Sequence, residues 1–296
     1  MTARRLFAPS LMLLCSSMLL SASVAAKTAE PAYDLIIRGG MLYDGSGKPP
    51  VVGDVAIKDD RIVAVGKIDG TATNEVSARG MAVAPGFINM LSWATESLIA
   101  DPHSQSDIRQ GVTLEVMGEG WSMGPMNAAM KRNETERQGD IKYPIEWTSF
   151  GDYLGYLEKR GVSTNVASFV GAATVRVHEL GEGDVDPTPE QLGRMRALVR
   201  QAMNEGAMGV GSSIIYAPGS YAETDELVAL TSEAAKCGGM YISHMRSEGD
   251  RIEQAGDELI DIARRARPPQ SILSKWGGGA GRAGSQAIDR TSHRSP

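Results

Sequence analysis

Cysteine and histidine are both scarce in this chain, and the scarcity narrows its chemistry. Of two cysteines, Cys15 lies in a segment that reads as a leader. Cys237 is then alone, so the mature chain forms no intrachain disulfide. A single cysteine late in a helix behaves as a small packed hydrophobe, and no histidine neighbours it in sequence. Positive charge is short as well: 30 Lys and Arg against 36 Asp and Glu give a formal charge of −6. Nothing here attracts nucleic acid, and the missing basic stripe argues against anionic lipid as a partner. The apolar stretch from Leu11 to Leu20 is too short and too poorly flanked to span a membrane.

That stretch has another meaning. Arg4 and Arg5 supply a basic start, Leu11 to Leu20 an apolar middle, and Val24-Ala25-Ala26 the small residues that a signal peptidase needs, so residues 1–26 read as a signal peptide. Leu14 before Cys15 argues against a lipoprotein. The expectation is an exported protein, periplasmic or secreted, with no stable membrane association after cleavage. Removal leaves 270 of the 296 residues at a formal charge of −8, enough for one large α/β domain or two modest ones.

Residues 33–84 read as a small β unit. Asp34 to Arg38 is a strand ending at Gly39-Gly40, Asp54 to Lys58 alternates apolar with polar, and Asp59-Asp60 turns into Arg61 to Gly66. After Ala84-Pro85-Gly86 the period changes, and short apolar runs alternate with amphipathic helices, the pattern of βαβ units around a parallel sheet. Strands are expected at Gly86–Met90, Val112–Met117, Asn165–Val170, Ala207–Ser212 and Gly239–His244. Thr188-Pro189-Glu190-Gln191 carries a cap, a first-turn proline and a capping-box partner before Leu192, Met195, Leu198, Val199 and Met203, with Gly206 as the stop. Asp250-Arg251-Ile252-Glu253 opens another helix, whose buried side would be Ile252, Ala255, Leu259, Ile262 and Ala266.

About five strand and helix pairs over 85–266 fall short of the eight of a closed barrel. Beyond Ala266 both periodicities vanish, and residues 268–296 hold 13 Gly, Ser or Pro among 29 positions. Such a segment buries too little apolar surface to offset its chain entropy. Residues 267–296 are therefore expected to be an irregular tail, a natural one or the product of a frameshift near Arg267.

In a (β/α) barrel the chemistry sits at the carboxyl ends of the strands. Three strand ends carry polar residues: Gly118-Glu119-Gly120-Trp121-Ser122, Ser212-Ser213-Ile214-Ile215-Tyr216, and Ser243-His244-Met245-Arg246-Ser247-Glu248. A carboxylate between glycines and an imidazole on one rim are what an open catalytic zinc site uses. Glu119 pairing with Arg109 or Arg246, and His244 as a structural histidine, are the plain alternatives. His103 and His178 fall at helix-start and loop positions that favour solvated roles, and His293 lies in the tail.

The opening Tyr33-Asp34-Leu35-Ile36-Ile37-Arg38-Gly39-Gly40, then Tyr43-Asp44-Gly45-Ser46-Gly47 and Ala84-Pro85-Gly86-Phe87-Ile88, resembles the start of the amidohydrolase superfamily. Glu205 to Ser212, Tyr216-Ala217-Pro218-Gly219 through Leu227, and His244-Met245-Arg246-Ser247-Glu248-Gly249-Asp250 narrow the resemblance to the D-aminoacylases, or N-acyl-D-amino-acid deacylases, over about residues 33–266. The resemblance implies an α/β, amidohydrolase-like (β/α) TIM barrel, incomplete in this chain, with a small amino-terminal β-sandwich part. It also implies zinc-dependent hydrolysis of the amide bond of an N-acyl-D-amino acid, a small-molecule substrate. His244 matches a zinc ligand of the family; Glu119 stands near the place of a ligand cysteine and would serve as an oxygen ligand. Arg246, Arg176 and Tyr216 would contact substrate, with Glu248 as the alternative partner of Arg246. The chain departs where the family writes His-x-His, since Leu91-Ser92-Trp93 offers zinc no donor at Leu91 or Trp93. Ala172-Ala173 replaces another histidine, and the family's base falls in later strands. A metal-free binding protein, with Leu91 and Trp93 at a pocket floor, or a nonfunctional fragment are therefore the competing expectations.

Overall fold

The computed structural model describes residues 32–267 and the backbone of 271–272. The signal peptide read over 1–26 and most of the tail lie outside the described residues. The chain divides between Pro85 and Gly86 into two compact units.

In the first unit, β1 (Tyr33–Leu42), β2 (Val51–Lys58) and β3 (Arg61–Gly66) pair antiparallel in sequence. β4 (Ala72–Ser77) and the short β5 (Ala82–Val83) both join β1 in parallel, giving one five-stranded sheet. Neither of these last strands is foreshadowed by alternation, because β4 is exposed at all but its first residue. Ile36, Ala56 and Ile68 form its small core. Arg38 ties the strands together, with Asp54 and Glu75 accepting at 3.1 and 2.9 Å and the Ile68 and Gly70 carbonyls at 2.7 and 2.6 Å. The second layer of a sandwich is not among the described residues.

The second unit runs β6 (Phe87–Asn89), α1 (Ser97–Ala100), α2 (Gln105–Ile108), β7 (Val112–Met117), α3 (Ala128–Arg137), α4 (Phe150–Arg160), β8 (Asn165–Ser168), β9 (Val170–Gly171), α5 (Ala172–Leu180), α6 (Pro189–Asn204), β10 (Gly209–Ser213), α7 (Thr224–Ala235), β11 (Met240–His244), α8 (Ile252–Ala266) and β12 (Ser271–Ile272). Every strand pair is parallel, in chain order, β6-β7-β8 and then β9-β10-β11-β12. The expected strand over Asn165–Val170 splits at Phe169, where the partner changes from β7 to β10. One expectation is corrected: the region after Arg267 is not wholly irregular, since Ser271 and Ile272 pair with Tyr241 and Ile242. An exposed backbone edge on β11 offers hydrogen bonds that composition does not reveal.

Helix α6 forms because its ends and its face agree. The Thr188 hydroxyl accepts from the Gln191 amide at 3.3 Å, the Gln191 side chain accepts from the Thr188 amide at 2.9 Å, and Met195, Val199 and Ala202 are buried. In α8 the stripe Ala255, Leu259, Ile262 and Ala266 is buried, with Ile252 partly so. These faces meet Val170, Val210, Leu227, Leu230 and Tyr241 in the main core. Each fully buried Leu, Val or Met contributes about 1.5–3 kcal/mol. Packing of this kind fixes the strand ends relative to each other.

Candidate functional site

The loop after β7 is threaded by close backbone contacts. Gly118 has φ +96°, and a Cβ there would stand 2.0 Å from the Phe169 carbonyl oxygen. Gly120 has φ +88°, and its Cβ would come within 2.5 Å of the Ser213 Cβ. Only glycine tolerates both conditions at once. The two glycines therefore hold Glu119 against the ends of β10 and β11.

Across that gap stands His244, the last residue of β11, in register with Ser213. Its Nδ1 lies 3.7 Å from Glu119 Oε2, and its Nε2 lies 2.8 Å from Glu248 Oε1. The imidazole thus lies between two carboxylates, with Glu119 and His244 each 6% exposed. The exposed Tyr216 ring meets it edge-on, with centroids 5.2 Å apart. Ser213 Oγ, buried beside them, has no hydrogen-bond partner among the described residues.

A separation of 3.7 Å is too long for a hydrogen bond. It suits two ligands of one divalent ion, each about 2.0–2.2 Å from it. The orphaned Ser213 hydroxyl next to this gap adds a polar group that a bound ligand would satisfy. Two donors thus fit a metal. The usual third protein ligand is not supplied, since among the described residues no group of three His, Cys, Asp or Glu is arranged to hold an ion.

The two arginines expected to grip substrate are placed otherwise. Arg176, in α5, is 0% exposed, paired with Glu226 and donating to the Val185 carbonyl. It sits inside the protein because an uncompensated buried charge is costly and Glu226 meets it there. Arg246 donates to Glu258 at 2.8 and 2.9 Å and to the Ser220 and Ala222 carbonyls at 2.8 Å. Four of its five N–H donors are thus directed at the fold, and its acid is Glu258 in α8, not Glu248. Arg109 bonds Gln105, and His103 is exposed. His178 lies 3.2 Å from Glu179.

Beside the Glu119 loop opens a cavity of about 300 Å³, with Ser92, Trp93 and Gly118 at the ends of β6 and β7 and Trp121, Met123, Met126, Met130 and Val177 among its walls. Trp93 lines it and Leu91 does not. Sequence reasoning placed Trp93 at a pocket floor but missed the rest of the lining, because it comes from three separated segments. It named Ser213 only within a strand-end stretch and offered Glu248 to Arg246, missing its approach to His244. The only signal for the latter was the four-residue spacing within His-Met-Arg-Ser-Glu.

No family model matches the chain. It is 32% identical over 245 residues to a D-aminoacylase of Alcaligenes xylosoxydans xylosoxydans, covering 81% of this chain and 50% of that protein. It is 34% identical to an N-acyl-D-aspartate deacylase of the same organism, covering 80% and 48%. Over the segment that it shares, the chain belongs to the D-aminoacylase family. Among solved structures, the N-acyl-D-glutamate deacylase of Bordetella bronchiseptica, complexed with zinc and a phosphonate inhibitor that mimics the tetrahedral intermediate, superposes with a TM-score of 0.77 at 27% identity. That superposition covers 88% of this chain and 56% of that one. The fold is accordingly the α/β amidohydrolase fold of the D-aminoacylases, and the chain spans about half the length of the curated relatives it matches.

Proposed function

We propose that the Glu119–His244 site belongs to a hydrolase that cleaves the amide bond of N-acyl-D-amino acids with the help of a divalent metal, zinc in the first instance. The observation that carries this reading is the convergence of a carboxylate and an imidazole, from two different strand ends, on a gap of 3.7 Å. The relatives' deacylase names, and the zinc in the Bordetella deacylase, support it.

When bound, a divalent ion supplies Lewis acidity to the scissile carbonyl. His244 Nδ1 and Glu119 are the residues that would hold it. Glu248, whose Oε1 lies 2.8 Å from the far ring nitrogen, is the carboxylate placed to orient the imidazole. Ser213 Oγ is free to take a hydrogen bond from or give one to a group at the gap. Tyr216 presents an exposed ring at the mouth and is the one substrate-contact candidate that stays on the rim. We place the site of action outside the cytoplasm on the strength of residues 1–26 alone.

The competing reading, a metal-free binding protein, is favoured by the apolar cavity at Trp93. Metal analysis separates the two. The full chain, equilibrated with zinc and dialysed, is expected to retain about one ion, and His244→Ala is expected to lose it while melting as cooperatively as the parent. A parent without metal that still binds N-acetyl-D-amino acids would establish the metal-free reading instead. A parent that shows no cooperative melting would make the chain a fragment without function.

A further inference from the structure

We propose that the cavity beside the Glu119 loop is an acyl-group pocket, taking a neutral aliphatic or aryl acyl chain whose amide end lies toward Glu119 and His244. The proposal rests on the hydrolase reading and adds to it the class of acyl group.

Position comes first. Gly118 lines the cavity and is bonded to Glu119, so the cavity reaches the loop that carries the candidate site's carboxylate. The apolar part of the lining is Trp93, Trp121, Met123, Met126, Met130 and Val177. Thioether and indole surfaces of this kind take up apolar groups of varied shape. A volume of about 300 Å³ lies at the lower end of ligand pockets, which suits one substituent of a substrate better than a whole large ligand.

The walls are also fixed before any ligand arrives. Ser122 accepts from the Gly171 amide at 3.0 Å and donates to the Gly124 carbonyl at 2.6 Å, and its own amide donates to Thr174 at 2.8 Å. The Trp147 indole donates to the Met123 carbonyl, and Asn127 donates to the His178 carbonyl at 2.9 Å while capping α3. A preformed apolar pocket loses little entropy on binding.

The charged part of the lining selects against a charged tail. Arg137 is clamped by Glu182 at 2.7 and 2.9 Å, which leaves Glu96 and Glu134 as the remaining charged lining residues. Burial, with the Glu96 carboxylate beside it, holds Glu134 above the usual carboxylate range. A second carboxylate at the far end of an acyl chain would meet these acids, whereas a methyl or phenyl terminus would not.

Calorimetric titration of the full chain with N-acetyl-D-leucine, N-hexanoyl-D-leucine and hexanamide tests the proposal. Each fully buried methylene is worth roughly fourfold in affinity, so the hexanoyl compound should bind at least about tenfold tighter than the acetyl one, allowing for incomplete burial. Trp93→Ala removes a wall that is 58% exposed, and so leaves the core intact, while Met126→Trp fills the space. Each should shrink the margin of the hexanoyl over the acetyl compound several-fold. If Met126→Trp fails to fold, the Trp93→Ala result decides. Equal wild-type affinities for the two acyl compounds, or a margin that survives the wall and filling variants, overturn the pocket. Hexanamide binding that both variants weaken, with no binding of either leucine derivative, upholds the pocket's preference for apolar amides and removes the hydrolase reading.

Discussion

Two regions of the second unit use buried carboxylates in opposite ways. On the seam between α6 and α7, Glu233 is 1% exposed and enclosed by cations: Arg196 at 3.0 Å, Arg200 at 2.7 Å and Lys236 at 2.9 Å. At the ends of β7 and β11, Glu119 is almost as buried but is set between glycines and faces an imidazole at a distance too long to bond. Burial alone costs a carboxylate several kcal/mol, so something must compensate it. On the helix seam the fold supplies that compensation itself. At the strand ends the facing group is instead the His244 imidazole at 3.7 Å, itself a metal donor, which is the physical difference between a structural acid and a site acid.

The comparison is broken hardest at Arg176. Removing it as Arg176→Ala leaves Glu226 buried without its partner, and chemical denaturation should report a loss of about 3–5 kcal/mol. A loss under about 1 kcal/mol would mean that Arg176 is not the structural half of this pair. Glu226 is pushed up to about 7 by its desolvation, against the pull of Arg176.

Glu233 gives the next effect, and it depends on pH. Its desolvation raises the pKa, but hydrogen bonds from Arg200, Lys236 and Arg196 prevail and bring it down to about 2. A folded-state value below the ordinary 4.5 means stability that is present above pH 4.5 and lost as pH falls toward 2. Because the cationic partners are 41–58% exposed and screened, the contribution is about 1–2 kcal/mol. Glu233→Gln should lower stability by that amount at pH 7 and converge with the parent near pH 2 in acid titrations; parallel curves would refute the assignment.

The smallest effect on stability, and the sharpest on function, is expected at Glu119. Glu119→Gln keeps the shape and should change unfolding stability by less than about 1 kcal/mol, while weakening zinc retention by about tenfold or more. A large stability loss with unchanged metal content would make Glu119 a structural acid after all.

Much of the architecture was legible because it is local. The switch from alternation to helical period at Gly86, the capping box at Thr188 and the stripe from Ala255 to Ala266 are set by neighbouring residues, and the structure follows them closely. β4 and β12 were not legible, since an edge strand is held by backbone hydrogen bonds that any side-chain sequence can make. At the site, the sequence named Glu119, His244 and Tyr216 as residues at strand ends, and the fold brings the first two within 3.7 Å and the third into ring contact with His244.

The sequence by itself determined most of the strands and helices, because propensity, periodicity and capping act over a few residues. Only the tertiary structure decided which charges are already satisfied. Arg176, Arg246 and Glu119 look alike as charged residues in βα units, but their partners lie 50, 12 and 125 positions away. Burial and pairing are properties of packed neighbours, and packing, not local order along the chain, separates an arginine that holds the fold from a carboxylate set opposite an imidazole.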